Sequence, residues 1–374
     1  MDGGKRVRVL VTGSRGFVGK NLCVALGERG RYEVSAFDRG DDPTTLAAAV
    51  AGVDAVVHLA GVNRPRDPAE FESGNADLTR RLCEAIAAAG RPVALIVTSS
   101  IQAERDNPYG RSKRAAEQAA EELARRTGNP VAVYRLPGVF GKWCRPDYNS
   151  VVATFCHNIA HGLPIRIDNP AAHLRLVHVD DVVLEIERAL AASAPGLCRG
   201  AVAPEYETTL GELARQIEAF RNCRDSLVVE RVGTGFVRAL YATYVSYLPT
   251  SQFAYALPSH ADPRGVFVEM LKTRDSGQFS FFTARPGVTR GGHYHHAKTE
   301  KFLVVRGSAR FRFRHVLTGE QCEIDVSGDR PTVVETIPGW AHDITNTGTD
   351  EMVVMLWANE IFDRDRPDTI ASPL

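Results

Sequence analysis

Residues 11–19 read VTGSRGFVG and follow directly on the run RVRVLV. A short apolar β run ended by glycine, then GFVGKNLCVALGERG with helical periodicity, is a strand–turn–helix unit. Gly13, Gly16 and Gly19 at such a turn let backbone N–H groups approach a pyrophosphate at the helix N-terminus, with Ser14, Arg15 and Phe17 in the same turn. Asp38 closes the next β run, YEVSAFDRG, where a carboxylate suits the two hydroxyls of an NAD ribose. Arg39 beside it suits a 2′-phosphate instead, so NADPH and NADH both stay open.

Outward from this unit, strand and helix alternate. DAVVHLAG (54–61) and VALIVTSS (93–100) are buried strands, NADLTRRLCEAIAAAG (75–90) and NPYGRSKRAAEQAAEELARRTG (107–128) are helices, and PVAVYRLPGVFG (130–141) is a further strand. Near-continuous apolar strands separated by helices predict an α/β Rossmann-type, doubly wound parallel sheet covered on both faces. Near residue 250 the texture changes. A loop-rich stretch, SYLPTSQFAYALPSHADPRG, leads into the short β runs VFVEMLK, QFSFFTA, KFLVVRG, ARFRFRHV, TVVETIP and MVVMLWAN, with no helix between them. That pattern predicts an all-β closed barrel or double-sheet roll. The expected division is 1–247 and 248–374.

Composition narrows the function classes. The 374 residues carry 45 basic and 45 acidic side chains, which argues against a nucleic-acid partner. No apolar run approaches the roughly 18 residues of a membrane span, and the N-terminus is not a signal peptide. The seven cysteines are scattered singly with no CxxC, as expected of reduced thiols in a cytoplasmic protein.

Tyr109 and Lys113 stand four apart in NPYGRSK and share a helix face; Ser100 ends the preceding strand. A nearby ammonium favours tyrosinate, so Lys113 is expected to lower the tyrosine pKa and let Tyr109 exchange a proton with a carbonyl oxygen that Ser100 orients. With the glycine turn, this set resembles the extended short-chain dehydrogenase/reductases that act on nucleotide sugars. On that resemblance Leu59, Ala60 and Gly61 line the cofactor, Asn75 opens the following helix beside the substrate, and His178 in LVHVDDVV is a structural histidine. Gly138 stands where the family pattern has asparagine.

The second region has its own pattern. Gly287, His293, His295, Glu300 and Gly307 are spaced as in the first metal motif of the cupin superfamily, and Pro338, Gly339, His342 and Asn346 resemble the second. Two or three imidazoles with a carboxylate suit Zn, Fe, Mn or Ni, and a non-redox cytosolic role favours Zn. His293 and His295 are expected on one face of a strand, with Glu300 and His342 on neighbouring strands. DPRGVFVEM and GVTRGGHYHH also resemble the metal-free dTDP-4-keto-sugar 3,5-epimerases, in which the residue matching His293 is a general base. His293 is therefore a ligand or a base, and the metal set completed by His295 and Glu300 favours ligand, with Lys298, Lys301 and Tyr294 as candidate proton carriers.

The fusion of the two regions, with FGKWCRPDYNSVVATFC, resembles the bacterial capsular polysaccharide synthesis enzyme F family of the UDP-N-acetyl-L-fucosamine route. The resemblance implies a homodimer acting on UDP-2-acetamido-2,6-dideoxy-4-keto-hexose, with C3 epimerisation in a zinc cupin and NADPH-dependent C4 reduction to UDP-2-acetamido-2,6-dideoxy-L-talose. Lys142, Trp143, Arg145 and Asn149 are the expected UDP-sugar contacts, arginine and lysine for the diphosphate and tryptophan for stacking. The alternative is a 4-ketoreductase of a related nucleotide sugar whose cupin is a dimerisation or sugar-binding module.

Overall fold

β1 (Val7–Thr12) takes up the opening apolar run, and its inner residues Val9, Leu10 and Val11 are fully buried. The computed structural model describes residues 6–374 except 66, 68, 193, 297, 317 and 366. The next strands are β2 (Tyr32–Phe37), β3 (Ala55–His58), β4 (Ala94–Ser100), β5 (Pro130–Leu136), β6 (Gly138–Phe140), β7 (His173–His178), β8 (Gly196–Gly200) and β9 (Glu205–Thr209). The main sheet has the order β2-β1-β3-β4-β5-β8 and is parallel throughout, while β6, β7 and β9 form a small separate sheet.

Successive residues of a strand face opposite sides, and both sides are apolar. Val9, Val11, Val57 and Ile96 pack under the helices Phe17–Glu28 and Val179–Ala191 through Leu22, Leu26, Val182 and Ile186. Leu10, Val56, Leu95 and Val97 pack on the other side against Leu82, Ile86, Ala120 and Leu123 of the helices Leu78–Ala88 and Pro108–Thr127. Each such side chain contributes about 1.5–3 kcal/mol, and the two-sided burial explains why the strands read as continuous apolar runs. β1 leads outward to β2 and the chain returns on β1's other side as β3, so the winding reverses between β1 and β3. A crevice at the carboxyl ends of those two strands follows from that reversal.

The chain divides into two compact units, Met1–Ile217 with Ala239–Leu248, and Glu218–Arg238 with Pro249–Leu374. The segment 218–238 thus goes with the second unit, although its sequence was read with the first. The reason is a strand pair: β10 (Val228–Val229) lies parallel to Lys272 and Thr273.

The second unit continues with β11 (Ser259–Asp262), β12 (Gly265–Thr273), β13 (Gly277–Ala284), β14 (Thr289–Tyr294), β15 (Glu300–Arg306), β16 (Ser308–His315), β17 (Gln321–Ser327), β18 (Val333–Glu335), β19 (Trp340–Asn346), β20 (Met352–Ala358) and β21 (Ile370–Ala371). One sheet orders β10-β12-β13-β20-β15-β18, with β11 beside β12; the other orders β17-β16-β19-β14-β21. Phe282, Phe302, Val304 and Val354 from the first meet Phe311, Phe313 and Ile344 from the second in one apolar core. This is the double-sheet roll the short β runs predict.

The helix Pro108–Thr127 begins at Asn107, whose side chain accepts from Gly110 N at 2.8 Å, and ends at Gly128 in the left-handed conformation (φ 72°). It is fixed to β5 by Glu117, which is fully buried and accepts from Arg135 Nε at 2.9 Å and Nη2 at 2.6 Å. Glu117→Gln weakens this charge-assisted pair, and we expect a stability loss of about 1.5–3 kcal/mol. The measurement is the urea unfolding midpoint at constant slope.

Candidate functional site

The glycine turn sits at the mouth of the crevice. Gly13 has φ 75°, and a Cβ there would lie 2.7 Å from Ala60 N, so only glycine fits against the end of β3. Asp38, at the end of β2, is turned into this loop. Its Oδ2 accepts from Ser14 Oγ at 2.5 Å and faces Arg15 Nε at 3.5 Å, and its Oδ1 accepts from Arg15 N at 3.4 Å.

Deeper in the crevice, Tyr109 and Lys113 project from the first turns of their helix. The Tyr109 hydroxyl donates to Asn63 Oδ1 at 3.0 Å, and its ring packs on Phe71. Burial raises the Tyr109 pKa, against the opposing effect of a hydrogen bond with Ser100. Lys113 Nζ lies 6.0 Å from the Tyr109 ring centre and donates to Thr98 O at 3.5 Å. Burial lowers the Lys113 ammonium pKa to about 8, and the Glu117 carboxylate opposes that change. A Cβ on Gly61 would fall 3.2 Å from Lys113 Nζ, so that glycine leaves room for the ammonium.

The loop 141–150 is held at both ends. Asn21 Nδ2 donates to Lys142 O at 3.2 Å, and Ser150 caps the helix Val151–Ala160. Between them Trp143 adopts φ 67° and Asp147 φ 53°, uncommon for residues other than glycine. Lys142 Nζ lies 5.3 Å from the Trp143 ring centre and pairs with Asp180 at 2.5 Å; the Arg145 guanidinium lies 5.5 Å from the Tyr148 ring centre. Trp143, Arg145 and Asn149 are exposed.

In the second unit, β14 bulges at Gly291–Gly292, which brings His293 opposite His342 on β19. Gly291 has φ 101°, and a Cβ on it would meet His342 O at 2.9 Å. The donor atoms of His293, His295, Glu300 and His342 all lie within 4.8 Å of one another. Three imidazoles and one carboxylate in this arrangement are a donor set for zinc. The fit has a signature in the structure itself: His342 Nε2 is buried without a hydrogen-bond partner, 3.5 Å from Glu300 Oε2. Burial, then the neighbouring His342, lowers the His293 pKa to about 4, so its ring is neutral and can donate a lone pair. The cluster opens into a cavity of about 180 Å³ lined by Phe267, Phe282, Phe302 and Phe311 and by two arginines, Arg264 and Arg290. The Arg290 guanidinium stacks 5.0 Å from the Phe282 ring centre, and its Nε is buried without a partner. Arg264 is gripped by both oxygens of Asp262.

The comparisons with known proteins bear on both units. Residues 9–199 match the NAD dependent epimerase/dehydratase family, and residues 260–370 match the polysaccharide biosynthesis C-terminal domain. A Pseudomonas aeruginosa protein named UDP-2-acetamido-2,6-beta-L-arabino-hexul-4-ose reductase is 58% identical over 365 residues, 98% of each chain. The crystal structure of the capsular polysaccharide assembling protein CapF from Staphylococcus aureus superposes with a TM-score of 0.89 at 40% identity, covering 98% of this chain and 100% of that one. The chain belongs to the capsular polysaccharide synthesis enzyme F family. A crystal structure of CapF with the inhibitor 3-isopropenyl-tropolone is also similar, with a TM-score of 0.85 at 36% identity and coverage of 98% and 100%.

Ser100, Tyr109 and Lys113 converge as expected, but the expected lowering of the Tyr109 pKa by Lys113 is not found: burial raises it, opposed only by the hydrogen bond with Ser100. Asn75 is engaged within the protein. It is buried, its Oδ1 accepts from Val62 N at 2.8 Å, and its Nδ2 donates to Val62 O and Ser112 Oγ. It ties down the loop after Gly61. The carboxylate of Asp38 is engaged by Ser14 and Arg15. A side chain at Gly138 would press on Leu176 and the Arg175 carbonyl, because β6 lies against β7. His178 is a buried ring packed against Phe140, in line with a structural role.

Glu300 comes from the sheet opposite His293 and His342, not from a neighbouring strand. Lys301 is exposed and pairs with Glu335, on the outer face, so it is no proton carrier for the cavity; Tyr294 faces His296, which is exposed. Asn63, Arg264 and Arg290 were not singled out from the sequence. The only signal for the arginines was their place in the epimerase-like stretches, and Asn63 had none.

The Lys113 ammonium is expected to lose its charge as pH rises through about 8. Glu117→Gln removes the carboxylate that favours the charged form, so it should move this titration to lower pH. The lysine side-chain NMR shift against pH measures both.

Proposed function

We propose that this protein epimerises C3 of a UDP-2-acetamido-2,6-dideoxy-4-keto-hexose in its second unit and reduces the C4 carbonyl in its first, giving UDP-2-acetamido-2,6-dideoxy-L-talose. The observation that carries the reading is the Ser100–Tyr109–Lys113 set at the crevice of an NAD-dependent unit, in a chain 58% identical to a reductase named for a UDP-linked 4-ulose. NADPH is the proposed reductant. Ser14 and Arg15 engage both Asp38 oxygens, and Arg15 and Arg39 carry the positive charge that a 2′-phosphate would pair with.

A dihydronicotinamide held in the crevice would supply the hydride. Tyr109 protonates the C4 oxygen, and its raised pKa keeps it in the phenol form that can donate near neutral pH. Ser100 orients the carbonyl, and Lys113 holds the ribose. Lys142, Trp143, Arg145 and Asn149 are proposed for the UDP moiety.

In the second unit His293, His295, Glu300 and His342 would hold zinc. Zinc there would supply positive charge beside the carbonyl that acidifies the C3 hydrogen. A tropolone carries two adjacent oxygens suited to gripping a metal, and its use as an inhibitor of a similar protein supports this reading. Arg264 and Arg290, which line the same cavity, would take the diphosphate. Reduction of C4 then makes the epimerisation effectively irreversible. A cytosolic homodimer completes the proposal.

The test is an NMR time course in deuterated water with NADPH and the 4-keto sugar. Tyr109→Phe should lower C4 reduction by about 10²–10⁴-fold while deuterium still enters C3. Glu300→Ala should stop C3 exchange but leave reduction of a pre-epimerised substrate intact. Reduction by the native enzyme without any C3 label would leave a plain 4-reductase.

A further inference from the structure

The metal motifs end at Asn346, yet the ligands are held by a segment more than twenty residues further on. β21 lies antiparallel to β14, with Ala371 opposite His293 and Ile370 opposite Tyr294. Ser372 N donates to Gly292 O at 2.8 Å. Arg314 donates to Ser372 Oγ and to Pro373 O, both at 3.0 Å, and pins the end of the chain in place.

Among the described residues, Asp368 makes three further bonds at the cluster. Its backbone carbonyl accepts from His295 Nδ1. A carbonyl only accepts, so the proton resides on Nδ1 and the Nε2 lone pair is directed at the other donors. Its carboxylate accepts from His296 N through one oxygen and from Lys298 N through the other, both at 2.8 Å. Those two amides belong to the short connection between the ligands His295 and Glu300.

Lys298 is itself buried, with Nζ 3.0 Å from Glu300 Oε1. Glu300 Oε2 faces His295 at 3.2 Å and His342 at 3.5 Å. The ammonium therefore occupies one carboxylate oxygen and leaves a single oxygen for the cluster.

We infer that the C-terminal segment 368–373 is the outer shell of the metal centre, with Asp368 and Lys298 as positioning residues that set the His295 tautomer and make Glu300 a one-oxygen ligand. The inference rests on the zinc reading above.

The experiment measures zinc affinity of the full-length protein by competition with a chromophoric chelator, and the visible spectrum of the cobalt(II)-loaded form. Asp368→Ala should weaken zinc binding about 10–100-fold, while the metal-free protein melts as the native one does. Asp368→Asn keeps one acceptor oxygen and should recover part of the loss. Lys298→Met frees the second oxygen of Glu300, so the cobalt spectrum should move toward the weaker bands of a higher coordination number. Native-like affinity in Asp368→Ala, or a loss matched by an equal drop in metal-free stability, would overturn the inference, as would an unchanged cobalt spectrum in Lys298→Met. Failure of the native protein to bind zinc would instead overturn the metal reading, and the inference with it.

Discussion

A parallel sheet whose winding reverses between two adjacent strands cannot cover the carboxyl ends of both. In the first unit that gap lies between β1 and β3, and the site is arranged around it. The glycine turn closes one wall, since the chain must leave β1 without touching β3. The helix Pro108–Thr127 follows β4 and lies on the same crevice, so its first turns bring in Tyr109 and Lys113. The buried Glu117–Arg135 pair then fixes this helix to the sheet from below. Local sequence makes each element, but their convergence is a property of the strand order.

This explains which parts were legible in the sequence. The turn VTGSRGFVG, the Tyr109–Lys113 spacing and the histidine pattern are local signals, each set by neighbours a few residues away, and the structure brings each set together. Asn75 shows the opposite case. Its expected place beside the substrate came from the family resemblance, and nothing local says that its amide bonds Val62 and Ser112. Asp38 was legible in part: its position at the end of β2 was readable, and the hold of Ser14 and Arg15 on its carboxylate was not. The tyrosine pKa is a matter of balance, where burial exceeds what a neighbouring hydroxyl returns, and burial is not visible in a motif.

The second unit shows the same limit at larger separation. Period-two alternation along β15 turns Glu300 into the cavity and Lys301 outward, against the expectation that Lys301 could carry a proton there. It cannot say that β15 belongs to the sheet opposite β14, so the carboxylate reaches the imidazoles across the roll. Nor can it reveal that Asp368 touches the His295–Glu300 connection, because no spacing rule links a loop to a tail some seventy residues later. Arg290 had no local signal of its own: its partnerless guanidinium nitrogen stands out only once four phenylalanines are seen to line the same cavity.

The passage of the chain between its units has a bearing on modularity. The boundary is crossed after residue 217, recrossed after 238 and crossed again after 248, with β10 supplying a strand to the second unit from within the first two-thirds of the sequence. A single cut in the gene near codon 248 would not yield two self-sufficient halves, because the downstream piece would lack an edge strand of its own sheet. The two units are interlaced in the gene, and an exchange of one for a relative's counterpart would have to carry two separate stretches of sequence together.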